Sequence, residues 1–270
     1  MSSLSKVVTV GMFCVFSAIT QASASTIYAV GGYGDRVRTI DTETWTLSPL
    51  FNPGINWFGA ADGDNERSFF ATSDGGSLYR IDVIDQTVTP IGSYSGPMIK
   101  DLARDTYTGM LYGTDNSKLF RINTSTGVAS LIGSFGGPAA MWALEFDPSL
   151  NTLFGVNQDN HTLYSINKNT GAATAIAVTD QDRITDLWYD VETGQTLAVA
   201  NGPGRILQLD VGTGAASVLA TLSAPDPDLL GLGAPIVPEP TVSSLMTIGS
   251  LIILARRLRN RSLPGKRVNP

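Results

Sequence analysis

The chain has 270 residues, a formal net charge of −6 and a single cysteine. Its charges are unevenly spread: between residues 25 and 236 there are 11 basic and 23 acidic residues, a net charge of −12. A domain this acidic repels nucleic acid and anionic lipid, and one cysteine cannot form an intramolecular disulfide. These properties exclude a nucleic-acid-binding protein and a disulfide-stabilised scaffold.

The first 24 residues are typical of a secretory signal peptide. Lys6 provides a positive start, residues 7–20 (VVTVGMFCVFSAIT) are an apolar run, and Ala22 and Ala24 form an A-x-A cleavage site. The sequence therefore predicts export through the secretory translocon. Cys14 lies within the removed segment, so the mature protein is expected to have no thiol and no cysteine metal site.

Residues 25–236 contain five copies of one pattern. Aligning the equivalent positions gives spacings of 42, 42, 42 and 44 residues; these positions are Tyr28, Phe70, Tyr112, Phe154 and Ala198. Each copy has three short β-rich runs separated by turn residues, and four copies are preceded by a further run: 57–62, 99–105, 141–147 and 184–190. Four strands in about 42 residues indicate a β-propeller blade.

The first copy has no preceding run of this kind, but residues 229–234 (LLGLGA) supply one at the far end of the domain. We therefore predict an all-β fold, a single five-bladed propeller whose ring is closed by pairing its N- and C-terminal strands. The alternative is an open β-solenoid, although solenoid repeats are usually nearer 20–30 residues. The third position of the five inner runs holds Gly59, Asp101, Ala143, Asp186 and Gly231.

Most of the repeated acids are interpreted as turn residues. Asp and Asn at the head of a hairpin accept hydrogen bonds from backbone N–H groups two residues on; this covers Asp41, Asp82, Asn123, Asn167 and Asp210, with Asp105, Asp147 and Asp190 in the other hairpin. His161 is the only histidine, so neither a serine triad nor a multi-histidine metal site can be built. The acidic segment 62–66 lacks the pattern of an EF-hand loop. No metal and no cofactor are predicted.

Three acids on the inner runs are the candidates for catalysis: Asp101, Glu145 and Asp186. Five-bladed glycoside hydrolases resemble this layout, since they draw two or three channel carboxylates from different blades for acid, base or nucleophile roles. The opposing interpretation is that Asp101 and Asp186 cap backbone groups near the channel. An enzyme would need these carboxyl groups roughly 5 to 10 Å apart around an open pocket.

Three tryptophans also lie on inner runs: Trp57, Trp142 and Trp188. An exposed indole beside polar groups can stack on a sugar ring, so these residues are candidates for glycan binding without catalysis. The alternative is that they fill the packing between blades.

The C-terminal end has three parts. Val237, Pro238, Glu239 and Pro240 precede an apolar run from Thr241 to Ala255, which is followed by the cluster Arg256, Arg257, Arg259 and Arg261. As a helix the run would be about 22 Å long, short of a hydrocarbon core of about 30 Å, unless the arginine side chains snorkel to the headgroups. By the positive-inside rule the arginines and residues 262–270 stay cytoplasmic.

This pattern over residues 237–261 resembles the PEP-CTERM sorting signal of Gram-negative bacteria. The resemblance implies that the chain is the substrate of an exosortase, a membrane protease that processes such proteins and releases them towards the cell surface, often in exopolysaccharide-producing organisms. Together these features predict a non-enzymatic propeller that is anchored transiently in the inner membrane, then delivered to the cell surface or extracellular matrix. Its expected role is binding or structural, with exopolysaccharide as a candidate partner; the alternative is a glycoside hydrolase.

Overall fold

A computed structural model of the chain describes residues 26–31, 36–181, 183–201, 204–222 and 229–235. The described residues form strands and connecting turns, and none of them forms a helix long and apolar enough to cross a membrane. Two predicted segments lie outside these residues: the signal peptide with Ala22 and Ala24, and the sorting signal with its motif, apolar run, arginine cluster and tail.

Within the described residues, twenty strands form five antiparallel sheets of four strands each. Blade 1 contains β1 (Thr26–Gly31), β2 (Val37–Asp41) and β3 (Thr46–Phe51). Blade 2 contains β4 (Trp57–Asn65), β5 (Ser68–Ser73), β6 (Ser77–Asp82) and β7 (Thr87–Ser93). Blade 3 contains β8 (Asp101–Arg104), β9 (Leu111–Thr114), β10 (Lys118–Ile122) and β11 (Ala129–Ser134).

Blade 4 contains β12 (Met141–Asp147), β13 (Thr152–Asn157), β14 (Thr162–Ile166) and β15 (Ala173–Val178). Blade 5 contains β16 (Ile184–Asp190), β17 (Gln195–Ala200), β18 (Arg205–Leu209) and β19 (Ala216–Thr221). The last strand, β20 (Leu229–Gly233), pairs with β1 and completes blade 1 in the order β20-β1-β2-β3. The predicted five-bladed architecture is confirmed.

The ring closes as the sequence predicts. Gly233 of β20 lies opposite Tyr28 of β1, and Leu232 lies opposite Ala29. Each inner strand contacts the inner strands of the two neighbouring blades, in the cyclic order β20, β4, β8, β12, β16 and back to β20. In the closed ring the inner edge of each blade faces the axis, so the outer strands are the edges that face away from it.

The hydrophobic core is divided into five clusters, one between each pair of neighbouring blades. The cluster between blades 5 and 1, for example, packs Leu229 of β20 and Ile27 of β1 against Trp188 and Val199 of blade 5. Alternation along the strands supplies one apolar face to each neighbour, which is why every blade carries the same short hydrophobic pattern. The inner strands are thereby held around a common axis.

Candidate binding site at the channel mouth

The three acids predicted as alternative catalytic residues lie near the propeller axis but are buried. Asp101 and Asp186 are 0% exposed and Glu145 is 7% exposed. Each carboxylate accepts a hydrogen bond from a backbone amide on the inner strand of the following blade. Asp101 Oδ2 accepts from Leu144 N at 2.7 Å, Glu145 Oε1 accepts from Tyr189 N at 3.2 Å, and Asp186 Oδ2 accepts from Leu232 N.

A fourth acid completes this arrangement. Asp62 Oδ1, at the far end of β4, accepts hydrogen bonds from Ala234 N at 2.9 Å and from Trp188 Nε1 at 3.0 Å. Inner strands of different blades do not form a ladder with one another, so their axis-facing N–H groups need other acceptors. The carboxylates provide them at four of the five blade junctions.

Asp101 of blade 3 and Asp186 of blade 5 are close enough to affect each other's protonation. Burial raises the pKa of both carboxyls well above the usual range, and their mutual repulsion adds to the increase at Asp101. Among the described groups, Asp101 Oδ1 has no hydrogen-bond donor. A single proton held between the two carboxyls would satisfy this oxygen, as in other buried carboxyl pairs.

Close packing at the same level explains why glycines share the third position of the inner strands. A Cβ added to Gly59 would lie 2.2 Å from Asp101 Oδ1, and one added to Gly231 would lie 2.4 Å from Ala60 N. The channel is therefore filled at this level by backbone and by the two carboxyls. The three acids engage the fold itself, as the capping interpretation of Asp101 and Asp186 expects, and none of them lines the cavity described next.

The mouth of the channel is shaped by bulges in the inner strands. In four blades the inner strand bulges where it pairs with the next strand of the blade, and the residue at its second position has no partner in the register. These residues are Phe58, Trp142, Thr185 and Leu230. In blade 3, Lys100 donates its backbone N–H to Thr114 O at 2.7 Å, although Thr114 is already paired with Asp101. A bulge redirects the side chain of the extra residue. Five equivalent side chains therefore gather at one end of the axis.

Four of these five bulge residues line a cavity of about 400 Å³, together with polar and charged groups from the surrounding turns. Phe58 and Trp142 are half-buried, and the polar groups are Asn56, Asp74, Gln158, Arg183, Thr185 and Asn201. Lys100, the fifth bulge residue, places its ammonium 3.7 Å from the ring centroid of Phe58 and 5.6 Å from that of Trp142. A partly accessible indole among hydrogen-bonding groups offers a ligand both an apolar face and polar contacts.

Only one of the three candidate tryptophans is placed for stacking on a ligand. Trp142 and Trp57 both line the cavity, but the Trp57 ring is fully buried between blades 1 and 2. Trp188 is 4% exposed and lies between blades 5 and 1. Trp57 packs edge-on against Tyr79, with ring centroids 5.5 Å apart. Blade packing covers the rings of Trp57 and Trp188, so Trp142 is the one of the three with a ring open to a ligand; glycan stacking itself stays a prediction.

The turn acids are arranged as expected. Asp210 Oδ1, for example, accepts from Gly212 N at 2.8 Å and Thr213 N at 3.2 Å, and Asn167 makes the equivalent pair of contacts. His161 is a half-exposed turn residue with φ of 55°. Within segment 62–66, Asp64 is bound by Arg80 and Asp62 by Trp188, and the described residues contain no cluster suited to a metal ion.

The sequence did not reveal Lys100, Asp74, Gln158 or Arg183 as parts of one site. They come from four different blades and lie outside the repeated positions, apart from Lys100. The available signal was the second position of the inner runs, where four of five blades carry a large or long side chain: Phe58, Lys100, Trp142 and Leu230.

The fold and the position of the cavity define the class of protein: a five-bladed β-propeller with a pocket at one mouth of its channel. The sequence matches no protein-family profile, and no curated protein matches it. Solved structures do match. A chain of the nidogen/laminin complex is 14% identical with a TM-score of 0.57, and the match covers 77% of this chain and 81% of that one.

A structural genomics protein of unknown function from Bacteroides thetaiotaomicron VPI-5482 is 18% identical, also with a TM-score of 0.57. That match covers 78% of this chain and 62% of the other. Identities this low establish that the fold is shared and no more.

Proposed function

We propose that this protein is an exported, non-enzymatic β-propeller that binds carbohydrate at the mouth of its channel. The observation that carries the proposal is the half-buried ring of Trp142 in a cavity of about 400 Å³ lined with amide, hydroxyl and charged groups. Sugar rings bind through stacking on such rings and through hydrogen bonds to their hydroxyls, and concave pockets with few well-placed polar groups are the usual location.

Export and delivery follow from the ends of the chain. A signal peptide would direct the protein through the translocon, and processing of the sorting signal by an exosortase would release it to the cell surface or matrix. Exopolysaccharide would then be the carbohydrate within reach. The geometry supports this route: Ala234 and Pro235 leave the ring beside Asp62, at the end of the axis opposite to Trp142. A chain tethered through residues after 235 would keep its binding mouth directed away from the membrane.

The burial of Asp101, Glu145 and Asp186 supports the non-enzymatic part of the proposal. General acid and base groups must reach the scissile bond directly or through one water molecule. Carboxyls that are at most 7% exposed and that accept backbone hydrogen bonds lack this access.

The test is a binding assay of the full chain against a panel of polysaccharides, with the release of reducing ends measured on the same samples. We expect binding that Trp142→Ala weakens and no release of reducing ends. Tyr107→Ala is the matched control, because Tyr107 is 75% exposed in a turn at the opposite end of the axis. Binding unaffected by Trp142→Ala would place the site elsewhere, and turnover lost in Asp101→Asn/Asp186→Asn would make the protein a hydrolase.

A further inference from the structure

We infer that the mouth selects an anionic sugar, one that carries a carboxylate of the uronic-acid type, over its neutral counterpart. This inference rests on the proposed function, since it names the class of carbohydrate bound at the same cavity. It depends on the charges around Trp142 rather than on the indole itself.

The described residues around the cavity include more cations than acids. Two of them are cations, Lys100 and Arg183, and one is an acid, Asp74, within a domain whose net charge is −12. Asp74 is already engaged, because its Oδ2 accepts a hydrogen bond from Asn56 Nδ2 at 3.1 Å. These three side chains together favour an anion over a cation.

Among the described residues, Asp74 is the acid that attracts Lys100, and the two side chains do not form an ion pair. Among the described residues neither Lys100 nor Arg183 forms an ion pair within 4 Å. Burial lowers the pKa of Lys100, and attraction to Asp74 opposes this effect without bringing the two groups into contact. A partly desolvated ammonium of this kind gains strongly from a carboxylate that approaches it, because charge-assisted hydrogen bonds are stronger in such surroundings.

The aromatic rings fix where such a carboxylate would lie. The ammonium of Lys100 lies over Phe58 and beside Trp142, so a sugar stacked on the indole would bring its substituents within reach of this cation. Arg183 lines the same cavity and has the planar guanidinium that pairs with carboxylates in a bidentate manner. Neutral hydroxyls could bind Asp74, Gln158 and Asn56, but they would supply no negative charge to Lys100, whose ammonium contacts the Phe58 ring and Met98 Sδ.

The experiment compares an oligogalacturonide with its methyl ester, two ligands that share a sugar backbone and differ in charge. The full chain should bind the acid about tenfold more tightly than the ester, the factor expected for one hydrogen bond to a charged group. Lys100→Gln should reduce this preference, and Lys100→Arg should retain it. Lys118→Gln removes the same charge from an exposed side chain at the start of β10, so it is the control and should have no effect.

The outcomes separate the inference from the proposed function. Equal binding of acid and ester, both lost in Trp142→Ala, would overturn the anionic preference and keep the carbohydrate site. Absence of binding to either ligand and to the neutral panel would overturn both. Preference for a sulfated glycan of the same length over the oligogalacturonide would overturn the assignment to a carboxylate. Denaturant titration of each variant should show cooperative unfolding, which ensures that a loss of binding does not come from a loss of the fold.

Discussion

Asp101 Oδ2 accepts a hydrogen bond at 2.7 Å from the backbone amide of Leu144, which lies on the inner strand of the next blade. Asp186 makes the equivalent contact with Leu232, and Glu145 with Tyr189. In a fold whose blades are joined mainly by apolar packing, these carboxylates provide directional bonds between neighbouring inner strands. Acids that resemble a catalytic set in the sequence therefore hold the ring together.

Removal of the Asp101 carboxylate should destabilise the protein. Asp101→Ala leaves the buried amide of Leu144 without an acceptor, which costs about 1–3 kcal/mol of unfolding free energy. Asp101→Asn retains an oxygen acceptor and should cost less. Asp159→Ala, at an exposed position, is expected to stay within about 0.5 kcal/mol of the wild type. Urea titration of the three variants measures these differences, and equal stability of Asp101→Ala and wild type would show that the contact contributes nothing.

The buried acids should also make stability depend on pH. Burial raises the folded-state pKa values of Asp101, Glu145 and Asp186 well above those of the unfolded chain, so the folded state binds more protons above about pH 4. Unfolding free energy should then fall as pH rises from about 4 through the folded-state pKa values, by up to about 1.4 kcal/mol per pH unit for each extra proton held.

The variant Asp101→Asn/Asp186→Asn cannot lose these protons, so its stability should depend less on pH over the same range. Urea titrations from pH 4.5 to 8 compare the two proteins. A wild-type stability that increases over this range would contradict the assignment of raised pKa values.

The sequence predicts the repeated blades of this protein well and the contacts at its axis poorly. The 42-residue spacing and the additional inner run at residues 229–234 were sufficient to predict the number of blades and the closure of the ring, because every blade repeats the same local pattern. The direction of Trp57 and Trp188 was not predictable, since bulges at Phe58 and Thr185 on their strands interrupt simple alternation. At the axis, the contacting residues belong to different blades and are 40 or more residues apart in the sequence, so no local sequence pattern indicates these contacts.

A second set of contacts joins the outer parts of the blades through glycines. Gly171, in the turn between β14 and β15, has φ of +77°, and a Cβ added there would lie 2.7 Å from the backbone of Gly133 in blade 3. Gly171→Ala should therefore cost both the strain of a left-handed residue, about 1–2 kcal/mol, and about 1–3 kcal/mol of overpacking.

Gly76→Ala is the matched control, because Gly76 has φ of +72° but no atom within 4 Å of an added Cβ. It should show the strain alone. Denaturant titration of the two variants isolates the packing between blades, and equal losses of unfolding free energy would show that blades 3 and 4 adjust to the added methyl group without cost.

Closure of the ring should be needed for folding, whereas the segment after it should not. Truncation after Leu222 removes β20, and with it the buried side chains of Leu229 and Leu232 and the donors to Asp186 and Asp62. Loss of two buried leucines alone corresponds to about 4–10 kcal/mol, a fall in melting temperature of more than about 10 °C.

Truncation after Ile236 retains every described contact and should lower the melting temperature by less than about 5 °C, the order expected for about 1 kcal/mol. Differential scanning calorimetry of both products and of the full chain provides the comparison. A truncation after Leu222 that still unfolds cooperatively near the wild-type temperature would mean that β1 to β19 form a stable open ring, and that β20 does not hold the propeller closed.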